Sequence, residues 1–195
     1  DDLRPRMARL FTQGRAFALV TVFEADGGPR GVGAQMVVTE DESWGFVSGG
    51  CIEAEVAIQA RLTLADGAPR HLVYGRGSPW IDARLPCGGR LDLLAERIAP
   101  DDPAIGALVD GYDQRRTLRY QSDGLRRRCA APAETGDETW MIDHVFIPVQ
   151  RLIVFGSDPI ALAIALLAGE LGWSSVIVST DGPPHPPAPG VAHRR

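Results

Sequence analysis

Apolar positions along this chain recur with two periods. In "DDLRPRMARLFTQGR" they fall at Leu3, Met7 and Leu10–Phe11, the spacing of one helical face, and Gly14 is a fitting stop, so an opening helix is predicted. The next segments, "AFALVTVFEA", "GAQMVVTED" and "SWGFVSG", are rich in β-branched and aromatic residues. They predict three consecutive strands of a mixed sheet, the last two forming a hairpin across Glu40–Ser43. From Ile52 to Leu64 the apolar positions Val56, Ile58, Leu62 and Leu64, with the alanines, predict a helix that ends near Gly67. "HLVYGR" and "RLDLLAERI" return to strand character.

Further along, Asp102-Pro103 is a helix start and "AIGALVDGYDQRR" the helix it opens. "TLRYQSDGLRRRC" predicts a hairpin at Asp123-Gly124, two turn positions that tolerate positive φ. "APAETGDE" reads as a loop and "TWMIDHVFIP" as a strand. At Arg151 the pattern changes. "RLIVFGSDPIALAIALLAGELGWSSVIVSTDG" is an apolar strand, a glycine turn, an alanine-rich helix and a second apolar strand. That is one βαβ unit, the opening of a doubly wound nucleotide-binding fold. The Pro-rich "PPHPPAPGVAHRR" predicts a loop or linker. The chain therefore reads as α/β with a boundary near Pro148: a mixed-sheet α+β domain over residues 1–147, then a partial Rossmann-like βαβ domain over 148–195.

Composition narrows the class. With 45% hydrophobic and 23% charged residues, the chain belongs with soluble globular proteins. A net charge of −5 speaks against a nucleic-acid partner, which needs a dominant basic face. "IALAIALLAGELGW" carries a Glu and falls short of the roughly 18 apolar residues of a membrane span, so no membrane partner is expected. "RRRC", Arg126–Cys129, reads as a solvated strand or turn, with an anion or partner patch as the alternative. Three cysteines do not make a disulfide framework, and no secretory signal opens the chain, so a reducing cytoplasmic location is expected. A start at Asp1 instead of Met reads as a processed or trimmed version of a longer chain.

The candidate chemistry lies on glycine-rich turns. In "SGGCIEAEV", Gly49 and Gly50 permit positive φ, and the N–H groups that open the following helix form an anion seat. Cys51, at that helix start, is a candidate reactive thiol or soft ligand, with a small buried core residue as the alternative. "LPCGGRLDLL" repeats the pattern with Cys87, Gly88 and Gly89, so the two cysteines could face one another as a thiol pair or around a metal- or sulfur-bearing ligand. No CxxC or HxxxH accompanies them, which argues against structural zinc. A cysteine hydrolase would need one of His71, His144, His185 or His193 as base, and none stands in a recognisable context. Arg30, in "GGPRGVGAQMVV", could pair with phosphate or carboxylate, or be a plain exposed turn residue. Glu53 is a first-turn acid or a polar group of the site, and Asp82 is similarly open. In the βαβ unit the dinucleotide fingerprint reads Gly156, Ser157, Asp158, Pro159, Ile160, Ala161. Asp158 puts a carboxylate where a pyrophosphate should approach, so NAD is not expected, although Asp181 stands where a ribose-binding acid would.

"GGPRGVGAQMVV", "GFVSGGCIEAEV", "LPCGGRLDLLAE" and "QRLIVFGSDPIALAIALLAGELGW", in this order, resemble the XdhC/CoxI family, the accessory proteins of xanthine dehydrogenase and related molybdenum hydroxylases. The resemblance runs from about Arg15 to Asp181. It implies an amino-terminal domain of the family's own type followed by a Rossmann-like domain, often in a dimer. It also implies a chaperone that binds molybdenum cofactor, as molybdopterin or its cytidine dinucleotide. Such a chaperone protects the cofactor while a cysteine desulfurase installs the terminal sulfur, and delivers it to the apo molybdenum hydroxylase. On that reading Cys51 or Cys87 lies near the molybdenum or its sulfur, the glycine turns at Gly49–Gly50 and Gly88–Gly89 hold the phosphate end, and Arg30 pairs with it. An NAD(P)-dependent oxidoreductase with a reactive thiol, and a partner-binding scaffold in which Cys51 and Cys87 are buried and inert, are the competing expectations.

Overall fold

A computed structural model describes residues 2–28, 30–78, 85–134, 138–180, 188 and 190–194. The chain divides into two compact units, Leu3–Ile147 and Pro148–Arg195. The first holds α1 (Arg4–Thr12), β1 (Phe17–Asp26), β2 (Gln35–Val38), β3 (Ser43–Gly45), α2 (Glu53–Asp66), β4 (Arg70–Gly75), β5 (Arg90–Ile98), α3 (Pro103–Asp113), β6 (Leu118–Ser122), β7 (Arg127–Ala130) and β8 (Ile142–Phe146). The second holds β9 (Arg151–Phe155), α4 (Pro159–Glu170), β10 (Ser174–Val178) and β11 (Val191–Arg194).

In the first unit β1–β5 form one sheet in the order β3-β2-β1-β5-β4, and β6–β8 a smaller one in the order β7-β6-β8. All of these pairings are antiparallel. This corrects the mixed sheet expected of the first unit; parallel pairing enters with the second unit. Strand alternation sorts the core into two layers. Ala18, Val20 and Val22 of β1 face α2 together with Met36, Leu72, Tyr74, Leu91 and Leu93. Phe17 and Leu19 face the opposite side, where Met7 and Leu10 of α1, Ile105 and Leu108 of α3, and Leu118, Tyr120 and Ile142 of the small sheet close a second core.

Helix α2 ends where its sequence predicts, with Gly67 as a left-handed cap at φ 77°. Its packed face differs from the expected one. Val56, Ala57, Ala60 and Thr63 are buried, whereas Ile58 and Leu62 are about half exposed. Small residues let the helix lie close on the sheet, and a 3.6-residue period allows only one face that contact. The hairpin predicted at Asp123-Gly124 forms. Ser122 pairs with Arg127, so the connection has four residues, and only Gly124 takes a positive φ, 90°. Asp123 accepts the backbone N–H groups of Leu125 and Arg126 in an Asx turn.

In the "RRRC" stretch Arg126 is exposed, but Arg127 departs from the solvated reading. The Arg127 side chain is largely buried, bridging Glu96 at 3.2 Å and Asp102 at 2.6 Å. Glu96 is fully buried and also accepts from Tyr120 Oη at 2.8 Å and Ser122 Oγ at 2.6 Å. Burial pushes the Glu96 carboxyl up, while Arg127, the two hydroxyls and their hydrogen bonds pull it down. Asp102 also caps α3, accepting from the N–H groups of Ala104 and Ile105. One polar network thus ties both sheets to a helix.

In the second unit β9, β10 and β11 form a parallel sheet in the order β11-β10-β9, with α4 crossing between β9 and β10. Val191–Arg194 is an edge strand here, correcting the loop or linker expected of the tail. The physical reason is local: past Pro189 and Gly190 no proline remains to withhold a ladder N–H. Its core is small, built on Ala165, Ile177 and Val191.

Candidate functional site

Because every neighbour in the five-stranded sheet is antiparallel, β1, β3 and β4 run one way and β2 and β5 the other. The connections after β1, β3 and β4 therefore leave from the same end of the sheet. These three connections carry Arg30, Cys51 and Cys87. The turns bearing the two cysteines rest on one core layer: Val47 and Ile52 flank the first, Leu85 precedes the second, and all three belong to the cluster under α2. Both thiols are exposed. Arg30 is exposed as well.

Glycine at the second turn has a steric cause. A Cβ at Gly89 would lie 2.5 Å from the carbonyl oxygen of Gly27, and one at Gly75 would collide with the carbonyl oxygen of Gly89. The backbones at the ends of β1 and β4 and just before β5 close on one another only without side chains there. Gly88 takes φ 72°, with open space where its Cβ would be.

The Gly-Gly-Cys turn is closed from within. Gly49 and Gly50 take φ 83° and 112°, turning successive N–H groups inward. The seat they make holds the chain's own Glu53. Its Oε1 accepts from the N–H groups of Val47 at 3.1 Å, Ser48 at 2.7 Å and Gly49 at 3.0 Å. Its Oε2 accepts from Gly50 at 2.8 Å, from Ile52 at 3.2 Å and from Ser48 Oγ at 2.6 Å. Ser48 Oγ in turn accepts from the N–H groups of Cys51 at 3.0 Å and Ile52 at 3.1 Å. Burial pushes the Glu53 carboxyl up, but the Ser48 hydroxyl and the backbone donors outweigh it and hold it below its ordinary value. This corrects the anion seat expected at Gly49–Gly50: its donors are committed, and Glu53 is the anion.

Three of the histidines weighed as thiol bases are engaged elsewhere. His71 Nε2 lies 2.8 Å from Asp92 Oδ1, and the ring rests on Phe23 at 5.0 Å. Asp92 is held below its ordinary value: burial raises it, but Arg90 and His71 pull it down by more. His144 stacks edge-on to Phe146 and fills the space a Cβ at Gly33 would need. His193 pairs with Ser179 in the second unit. His185, Asp82 and Asp181 lie outside the described residues. Among the described residues no group of three or more His, Cys, Asp or Glu side chains is arranged to hold a metal ion. Cys129, half-buried, has its thiol pushed up to about 11 by burial.

At the strand-to-helix turn of the second unit, Asp158 caps α4 and accepts the N–H of Ala161 at 2.8 Å. A cavity of about 240 Å³ opens beside it, lined by Ser157, Leu162, Ile177, Ser179 and His193. Sequence reasoning missed the Glu53 cage and the buried Glu96. The second had a signal, since strand alternation puts Glu96 on the same face as Leu94 and Ile98.

Residues 10–75 match the model of the XdhC and CoxI family. A molybdenum cofactor insertion chaperone, PaoD of Escherichia coli strain K12, is 38% identical over 169 residues, covering 84% of this chain and 53% of that protein. Residues 10–75 belong to the XdhC and CoxI family. The chain spans about half the length of the curated relative it matches. Its fold is similar to a crystal structure described as a xanthine dehydrogenase from Bacillus halodurans, with a TM-score of 0.72 at 20% identity over 91% of this chain and 62% of that one. The family match takes in Arg30, Cys51 and Glu53 and ends before Cys87. Among the described residues no helix is long and apolar enough to cross a membrane.

Proposed function

We propose that this family member binds molybdenum cofactor, protects it while its terminal sulfur is installed, and hands it to a xanthine dehydrogenase-type molybdenum hydroxylase, with no turnover of its own. The observation that carries the reading is the pair of exposed thiols, Cys51 and Cys87, on glycine-rich turns at one end of one sheet. Thiolate is a soft donor suited to molybdenum or its sulfur, and exposure is what a cargo site requires. An inert scaffold would have buried both thiols.

The cargo, as molybdopterin or its cytidine dinucleotide, also brings a phosphate. Glu53 fills the turn beside Cys51, so the phosphate end falls to the exposed guanidinium of Arg30. An NAD(P)-dependent oxidoreductase is the weaker reading, because Asp158 presents a carboxylate at the helix start where a pyrophosphate would approach. A cysteine desulfurase as sulfur source and a homodimeric assembly complete the proposal, both carried by family membership alone.

The test is anaerobic gel filtration of the chain mixed with molybdenum cofactor, beside Cys51→Ala and Cys87→Ala. Co-elution of cofactor with the unmutated chain and its loss in at least one variant is the expected result. Equal retention in all three removes the thiols from the mechanism, and no retention by any removes the cargo.

A further inference from the structure

Glu53 receives six hydrogen bonds, five from backbone N–H groups and one from the Ser48 hydroxyl. A first-turn acid that only complements a helix dipole would point at the N–H groups of its own helix. Glu53 instead reaches back over the preceding turn, taking Val47, Ser48, Gly49 and Gly50. The backbone on both sides of Cys51 is fixed by this arrangement. Gly50 N–H donates to Glu53, Cys51 N–H to Ser48 Oγ, and Ile52 N–H to both. Ser48 is buried, while the Cys51 it carries is exposed.

Inward-turned N–H groups repel one another and need an anion to hold them together. Here that anion is covalently part of the chain, and its position one residue into α2 fixes the turn to the helix. We propose that Glu53 is a positioning residue for Cys51: its carboxylate stands in for a bound anion, and holds the Gly-Gly-Cys turn in the conformation that presents the thiol to its ligand. This rests on the reading of Cys51 as a contact to the cofactor. It also accounts for the glycines, since only a left-handed backbone at Gly49 and Gly50 turns these N–H groups toward a single point.

Two measurements test it. The first is backbone amide hydrogen exchange over Val47–Ile52 in the chain, in Glu53→Ala and in Glu53→Gln. The Gln variant keeps the size and turns one acceptor into a donor facing N–H groups, so it serves if the Ala variant does not fold. Exchange in this turn should quicken roughly tenfold or more in the variants while that of β1 stays unchanged. In Glu53→Ala, added formate should restore protection where chloride at equal ionic strength does not. Unchanged exchange in both variants, or quickening that formate leaves alone, overturns the proposal. The second is molybdenum cofactor retention. Glu53→Ala should lose it as Cys51→Ala does and regain it with formate. Full retention in Glu53→Ala beside loss in Cys51→Ala overturns the positioning role. Retention in Cys51→Ala overturns instead the reading of Cys51, and exchange alone then decides the position of Glu53.

Discussion

Among the described residues two glycine-containing turns lead from a strand into a helix, one between β3 and α2, the other between β9 and α4. The first reads in sequence as an anion seat and the second as a dinucleotide turn obstructed by Asp158, and in both an acidic side chain of the chain accepts backbone N–H groups. They differ in how many. Glu53 lies inside its helix and reaches back over the turn to collect N–H groups from Val47 to Ile52. Asp158 precedes its helix and takes the single N–H of Ala161, leaving a cavity beside it. A carboxylate after the glycines closes the turn and projects the residue between them, here Cys51. A carboxylate within the glycine motif caps the helix and leaves the neighbouring space open. The position of one acid relative to the glycines decides whether such a turn is a rigid mount or the wall of a pocket.

The comparison can be broken by stability measurements. As a reference for the loss of a fully buried partner, Arg127→Met strands Glu96 and should lower the unfolding free energy by about 3–5 kcal/mol. Glu53→Ala should come next at about 3 kcal/mol, because the donors of Val47 and Ser48 lose their Glu53 acceptor on buried residues. Asp158→Ala should cost only about 1 kcal/mol, the ordinary worth of an N-cap. Chemical denaturation of the three variants gives the ranking, and equal losses for Glu53→Ala and Asp158→Ala would erase the distinction between the turns. Gly49→Ala should fall near Asp158→Ala, at about 1–2 kcal/mol, all of it backbone strain, since its Cβ would meet open space.

The β-branched and aromatic runs made the first three strands legible in the sequence, and Asp102-Pro103 and Gly67 marked their helix ends as read. Other features depend on three-dimensional neighbours that spacing does not encode. Ile58 and Leu62 fit a helical stripe as well as Val56 does, but the sheet takes only the side on which Ala57 and Ala60 allow close approach. Arg127 reads as one arginine of three until Glu96, thirty-one positions away, is found beside it. The thiols were legible as candidates because glycine pairs marked them. The role of Glu53 was not, because a first-turn acid looks the same whether it faces its helix or the turn behind it.

A smaller effect sharpens the account through pH. The folded-state value of Glu53 is depressed, so its contribution is complete above the unfolded-state value and lost as pH falls through the folded one. Amide protection over Val47–Ile52 should therefore persist through the ordinary carboxylate range and fade only below it. Loss of protection within the ordinary carboxylate range would show that the cage does not hold a charge.

The most direct measurement is alkylation of the three cysteines by iodoacetamide, followed by mass spectrometry, with and without anaerobically added molybdenum cofactor. The account predicts that Cys51 and Cys87 react in the folded chain and Cys129 does not, and that the cofactor slows Cys51 selectively. Alkylation of Cys51 at the same rate in the presence and absence of the cofactor would contradict its place as the contact to the cargo.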